Sequence, residues 1–457
     1  MEAGLFRFLR FSLGLEGEVK GLLDGRKGSF DWDACYQFAK RQTLVGVLFD
    51  GIQRLPKELA PARPLLLRWL SDSESIRRRN MRIDRASAYI YNKVCTAGFR
   101  CCILKGQGNA LLYPHPSSRI PGDVDVWVMA NREELRHIAF SLTEGDGSSL
   151  QESLNHIGLT VHGVSAELHS TPALLNSPLH NSRLQRWLKR NADLQCSNRI
   201  ALPNNAGEVA VPTVSFNIIY QLCHLFHHCF YEGVGLRQIV DYYFVLMNTD
   251  FSGNTDGGAG NTDRDEVLLN TDYTDSTDRI GGNAESDGSL MNTDCTDFTD
   301  SSSGDFEGDG CLLNTDCTDF LDSSSGGLGK VDSGGALVAL QEELKWLGLW
   351  EFAGAVMYVL REVMGLDEKR MICAPDERRG RLLLEEIMAG GNFGHYDTRN
   401  HFGQGALWHN IQRFRRDWRM LRFYPSEALS EPLFRACHFL WRWKQKHTGM
   451  PKERNLN

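Results

Sequence analysis

Two carboxylates spaced two residues apart stand at the head of the stretch Arg119-Ile120-Pro121-Gly122-Asp123-Val124-Asp125-Val126-Trp127-Val128. The β-branched and aromatic residues read as a short buried strand, entered through a tight turn at Pro121-Gly122. Side chains alternate along a strand, so Asp123 and Asp125 point to one face and Val124, Val126 and Val128 to the other. Two like charges this close repel unless a cation lies between them, so the pair calls for a hard divalent metal such as Mg²⁺. A solvated Asp-x-Asp in a turn is the alternative. A third carboxylate, Glu167, lies in a second strand candidate over residues 159–169, where Ser165, Glu167 and His169 share a face. If the two strands are neighbours, the three acids converge as two-metal phosphoryl transfer requires. Upstream, Phe99-Arg100-Cys101-Cys102-Ile103-Leu104 reads as a strand ending in Lys105-Gly106, a junction that presents backbone N–H groups and a lysine to phosphates.

The elements that must hold these residues follow from periodicity and punctuation. Up to about residue 97 the signals are helical: Asp31 and Asp33 precede a helix, and a long helix is predicted over 65–97 with Arg77-Arg78-Arg79 on a solvated face. Residues 109–113 form one or two helical turns. Asn131, with Glu134 at the capping-box position, starts a helix running to about 142. Strands alternating with helices mark an α/β core over 98–215. Helices return from Thr213, through His224, His227 and His228. The spacing of His224 and His228 at i and i+4 suits either a metal or satisfied, partly buried histidines. They return again from about residue 336, with an apolar run over 352–364 and a helix that stops at Gly390-Gly391. The tail, from Trp408 through Arg413-Phe414-Arg415-Arg416 to Trp441-Arg442-Trp443, reads as amphipathic helices with aromatic anchors, a nucleic-acid surface being the alternative.

Between these helices Asn-Thr-Asp recurs at Asn248, Asn270, Asn292 and Asn314, every 22 residues. Each unit holds too few bulky apolar residues among Gly, Ser, Asn and Asp to offset the entropy of ordering it, so residues 248–333 are read as a disordered tandem insertion. The units show neither the EF-hand spacing nor the glycine-rich nonapeptide pattern of calcium binders. This segment carries 20 Asp and Glu against Arg264, Arg279 and Lys330, so the overall charge of −8 conceals a net positive remainder. The 12 cysteines are scattered, with no pair of CxxC elements at zinc spacing. Arg7 and Arg10 interrupt the apolar residues of the amino terminus, and no apolar run reaches transmembrane length. The expectation is a reduced, cytoplasmic protein with no membrane partner.

The motifs together resemble the nucleotidyltransferases of the polymerase-beta-like superfamily, and more closely an uncharacterised bacterial nucleotidyltransferase family. They are Leu104-Lys105-Gly106, Arg119, Gly122-Asp123-Val124-Asp125 and Glu167-Leu168-His169, continued by His224-Leu225-Phe226-His227-His228, Gly233-Val234-Gly235-Leu236-Arg237-Gln238-Ile239-Val240-Asp241 and Gly391-Asn392-Phe393-Gly394. Gln107 stands where the superfamily usually has a small hydroxyl or glycine residue, and Glu167 where it usually has aspartate. The resemblance implies an α+β fold, with a small mixed-sheet core at 98–215 between helical regions at 1–97 and at 216–247 plus 334–457. It implies transfer of a nucleoside monophosphate from an NTP to an acceptor hydroxyl. Asp123, Asp125 and Glu167 are then the catalytic set and the Mg²⁺ ligands, and Lys105, Gly106, Arg119, Gly122, His169 and Arg237 contact the nucleotide. Arg237 and Asp241, four residues apart, suit a structural ion pair as well. The acceptor is open among a small molecule, a glycan precursor, RNA and a protein. Two other readings use the same fold: a non-catalytic nucleotide sensor or docking protein, and an RNA-end nucleotidyltransferase.

Overall fold

The computed structural model describes residues 2–17, 30–145, 150–249, 333–397, 399, 414–415 and 417–447. The repeat segment read as a disordered insertion lies outside the described residues, apart from Asn248, Thr249 and Ser333 at its edges. The amino-terminal part is helical: α1 (Glu2–Ser12), α2 (Trp32–Arg41), α3 (Val45–Gln53) and the long α4 (Arg63–Thr96). Asp31 caps α2 by accepting from the Ala34 amide at 2.8 Å. Arg77, Arg78 and Arg79 are exposed on α4, as expected of a solvated face.

The middle of the chain carries the sheet. After β1 (Cys101–Leu104) come the short helix α5 (Gly106–Ala110), β2 (Val124–Val128), α6 (Arg132–Leu142), β3 (Gln151–Glu152), β4 (His156–Val161) and β5 (Val164–His169). The strand order is β1-β2-β5-β4-β3, with β2 and β5 parallel and the other pairs antiparallel, which makes the sheet mixed and the fold α+β. The Asn131 side chain accepts from the Glu133 and Glu134 amides while Glu134 accepts from the Asn131 amide, the reciprocal box expected at the start of α6. Helix α7 (Pro178–Ser197) and the hairpin of β6 (Arg199–Leu202) and β7 (Gly207–Ala210) complete this part.

The helical remainder comprises α8 (Val214–Tyr231), α9 (Leu236–Met247), α10 (Ser333–Trp346), α11 (Trp350–Met364), α12 (Glu377–Gly390) and α13 (Pro425–His447). Helix α4 crosses one face of the sheet, along β1, β2 and β5. On the other face the Trp127 ring stacks on Phe216 of α8, which stacks in turn on Trp187 of α7. An aromatic group of Phe226, Phe352 and Tyr424 ties α8 to α11 and to the segment before α13. Among the tail residues described, Met420, Tyr424 and Ala428 are buried, whereas Phe414, Trp418, Phe439 and Trp443 are exposed, so the tail aromatics are only in part the anchors expected.

Three local expectations need correction. Residues 159–169 are not one strand: His162 and Gly163 both have positive φ (50° and 73°), and this two-residue turn folds the segment into the β4–β5 hairpin. The helical turns placed at 109–113 begin earlier, at Gly106, because the chain bends immediately after β1. No turn forms at Pro121-Gly122, where the chain runs straight into β2; the turn that feeds it is the 3₁₀ turn Pro116–Ser118.

Candidate active site

Sheet register brings the polar residues together. Parallel pairing sets Asp125 opposite Glu167 and Trp127 opposite His169. Antiparallel pairing then sets Leu104 opposite Asp125, and His156 opposite His169. Carboxylate oxygens of Asp123, Asp125 and Glu167 all lie within 4.8 Å of one another, close enough to share a cation. An all-oxygen donor set of this kind suits Mg²⁺. His169 places Nε2 3.0 Å from Asp125 Oδ1 and 3.2 Å from Glu167 Oε2, and His156 Nε2 is 3.5 Å from Glu167 Oε1.

The turn after β1 aims a lysine at this group. Lys105 adopts φ 48° and ψ −124°, a conformation rarely taken by a residue with a side chain. Its Nζ sits 3.0 Å from Asp125 Oδ2 and 3.1 Å from His224 Nε2 on α8. From there a polar row continues along one face of α8: His228 Nε2 is 2.8 Å from His224 Nε2, and His228 Nδ1 is 2.9 Å from Glu232. His224 and His228 therefore partner one another, and His224 also meets Lys105, whereas the His227 ring stacks on Tyr231.

The loop between α5 and β2 is clamped from both helical regions. Asn80 of α4 donates to the Ser117 and Arg119 carbonyls at 3.0 and 2.9 Å, and Ser118 donates to Asp50 of α3 at 2.9 Å. Arg119 forms a two-pronged pair with Asp241 of α9, both contacts 2.7 Å, and Tyr113 donates to the same carboxylate at 2.6 Å. Asp241 is thus the partner of Arg119. The Arg237–Asp241 ion pair suggested by i,i+4 spacing is not the contact made, and Arg237 donates to the Ile120 carbonyl at 2.8 Å.

These residues line an open cleft of about 520 Å³, whose wall includes Lys105, Gly106, Arg119, Gly122, Asp123, Asp125, His224, Arg237 and Phe393. Buried Arg119 Nη1 and Arg237 Nε have no protein partner. Phe393, at positive φ (51°), belongs to the turn Asn392–Gly394 that follows α12, and its ring lies 5.1 Å from His228. The Gly391-to-Gly394 segment is the turn expected. Gly394 (φ 69°) lies so close to the Glu232 carbonyl that a methyl group there would sit 2.1 Å from it.

Charge is finely balanced in this cleft. Burial alone would raise Asp125, but Lys105 and His169 hold it well below the ordinary carboxylate range. Burial also opposes the charge on His169, yet its hydrogen bonds to Asp125 and Glu167 raise its pKa to about 9. Glu167 is lowered, because contact with His169 outweighs burial. The protein packed round the Asp123 carboxyl, and the like charges of Asp125 and Glu167, push Asp123 up. Burial, with Lys105 and His228 adding to it, keeps His224 neutral.

Every residue singled out in the sequence for chemistry, from Lys105 to Arg237, falls in or beside this one cleft. Three contributors were not assigned to the site from the sequence: His156, Tyr113 and Phe393, the last read only as part of a turn. His156 was hidden by reading the hairpin as one strand, and its signal was the His162-Gly163 pair.

An acid cluster at the mouth of a mixed sheet, with a strand-end lysine beside it, is the kind of site a nucleotidyltransferase needs. Residues 28–256, about half of the chain, match the sequence model of the uncharacterised nucleotidyltransferase family, and the protein belongs to that family. Among solved structures it is similar to an antigenic nucleotidyltransferase-like protein from Paracoccidioides brasiliensis, at 15% identity over 36% of this chain and 75% of that one, with a TM-score of 0.24. No curated protein matches the chain.

Proposed function

We propose that the protein is a Mg²⁺-dependent enzyme that transfers a nucleoside monophosphate from an NTP to an acceptor hydroxyl. The observation that carries this reading is the convergence of the Asp123, Asp125 and Glu167 oxygens within 4.8 Å, beside Lys105, in a cleft walled by Arg119 and Arg237. Asp123, Asp125 and Glu167 would hold the metal, which when bound would supply positive charge to the triphosphate oxygens. Lys105 and the unpartnered nitrogens of Arg119 and Arg237 bind phosphate oxygens. His169 fixes the orientation of the Asp125 and Glu167 carboxylates. Gly122 lets the triphosphate approach the backbone: a methyl group there would meet nothing of the protein within 4 Å.

In the reaction the acceptor oxygen bonds to the α-phosphorus while the bond from that phosphorus to the bridging oxygen of the β-phosphate breaks. Pyrophosphate leaves with the electron pair, and the hydroxyl proton passes to ionised Glu167. The catalytic unit corresponds to residues 98–215, with the flanking helices holding its loop in place. Buried thiols such as Cys101 and Cys102 fit a reducing, cytoplasmic setting. Incubation with each α-labelled NTP, Mg²⁺ and an extract as the acceptor source tests the proposal. The labelled monophosphate should enter a product, with a loss of roughly 100-fold or more in Asp125→Asn; turnover unaffected by that substitution refutes the assignment. Nucleotide binding without pyrophosphate release would instead mark a sensor.

A further inference from the structure

A second group of ligand atoms lies beside the carboxylate set. His156 of β4 and His169 of β5 are cross-strand partners, and Glu167 precedes His169 by two residues, on the same face. Nε2 of His169 is 3.2 Å from one Glu167 oxygen and Nε2 of His156 is 3.5 Å from the other. One ligand atom from each residue falls within a 4.8 Å circle. Ligands at the corners of a tetrahedron, each about 2.0–2.1 Å from a zinc ion, are separated by about 3.4 Å. The two imidazole–carboxylate separations, one to each Glu167 oxygen, are close to such an edge.

The surroundings orient at least one of these ligands. Ser153 Oγ lies 3.1 Å from His156 Nδ1 and can accept a hydrogen bond from its N–H, which leaves the Nε2 lone pair turned toward Glu167. His169 Nε2 also lies 3.0 Å from Asp125 Oδ1, a hydrogen bond and a proton it must give up to ligate an ion. The donor type also differs from the neighbouring set. Two imidazoles and one carboxylate favour zinc or manganese over magnesium, which prefers oxygen throughout.

We infer that His156, Glu167 and His169 form a second divalent-metal site, selective for a transition metal such as Zn²⁺ and joined to the Asp123–Asp125 site through Glu167. Glu167 is then shared between the two sites. Metal uptake at this site needs neither nucleotide nor acceptor, so it stands or falls apart from the transfer reaction.

Equilibrium dialysis of the chelator-treated full chain against Zn²⁺, in a large excess of Mg²⁺, tests this. Metal counting and X-ray absorption at the zinc edge supply the readout. The wild type should retain one Zn²⁺ per chain with the scattering signature of two imidazoles. His156→Gln should weaken uptake by roughly 100-fold, Ser153→Ala by about 10-fold through loss of orientation, and Asp123→Asn should retain the ion. Circular dichroism confirms that each variant is folded, and Ser153→Ala carries the test if His156→Gln is not. Displacement of Zn²⁺ by Mg²⁺, equal affinity in His156→Gln or Ser153→Ala and the wild type, or a spectrum without imidazole would overturn the site. A chain that binds Zn²⁺ in this way but turns over no NTP would refute only the transfer reaction.

Discussion

Asp125 carries three of the contacts that organise the cleft, to Lys105, to His169 and, through sheet pairing, to Glu167, and this explains why so small a motif is informative. The less conspicuous Gly122 gives a cleaner test of ligand approach than any charged residue. Because a methyl group at this position meets no protein atom, Gly122→Ala should leave the thermal midpoint within about 1 °C of wild type while raising the apparent KM for NTP severalfold. Unchanged KM in steady-state assays would remove this glycine from the nucleotide site. Arg119 and Asp241 behave in the opposite way. Both are buried, and removing either leaves the other charge uncompensated, so Arg119→Met should cost about 3–5 kcal/mol in urea unfolding. Burial would raise Asp241, but Arg119 holds its folded pKa below the ordinary value. The pair's stabilisation is therefore present above about pH 4 and is lost as the pH falls below that value through the lowered folded pKa of Asp241. An Arg119→Met protein should show a shallower loss of stability on acidification than wild type over that interval.

At the scale of elements, the turn after α12 is packed where a side chain cannot fit. Gly394→Ala would place a methyl group 2.1 Å from the Glu232 carbonyl, at a φ of 69° that favours glycine. The overlap should cost about 1–3 kcal/mol, displace Phe393 from the cleft wall and weaken NTP binding along with the melting temperature. A variant as stable and as tight-binding as wild type would contradict the packing described. Here too lies the boundary of what the sequence makes legible. Strands β1 and β2, the capped helix α6, the start of α8 and the stop of α12 were readable because alternation, caps and glycines are local signals. The shared face of Glu167 and His169 was readable for the same reason. The Arg119–Asp241 pair was not, since 122 residues separate its members and a local partner, Arg237, stood in the more obvious place. His156 was missed for a different reason: the two positive-φ residues His162 and Gly163 turn what looks like one alternating strand into two.

Across the whole molecule, the helices on either side of the sheet act as clamps on a single loop. Asp50 and Asn80 hold it from the amino-terminal side, Asp241 and Arg237 from α9. The described residues on the two sides of the repeat segment belong to one core: Leu246 and Leu344 are both fully buried in it, and Arg370 donates to the Thr249 carbonyl at 3.3 Å. Replacing residues 250–332 by a short Gly-Ser linker should thus leave the unfolding midpoint and Mg²⁺-dependent nucleotide binding unchanged. Loss of either would tie the repeats to the fold or the cleft. No helix among the described residues is long and apolar enough to cross a membrane. If instead the acceptor is an RNA end, association should fall steeply with salt, because the chain outside the acidic repeats is net positive.

Since the acceptor is open, binding of the nucleotide itself is the most direct probe of the central claim, that Asp123, Asp125 and Glu167 hold a metal-bound triphosphate. Titration calorimetry with a non-hydrolysable NTP, with and without Mg²⁺, should show binding to the wild type only when the metal is present, and a loss of roughly 100-fold in Asp125→Asn. Equal binding without Mg²⁺, or equal binding to the Asp125→Asn protein, would contradict it.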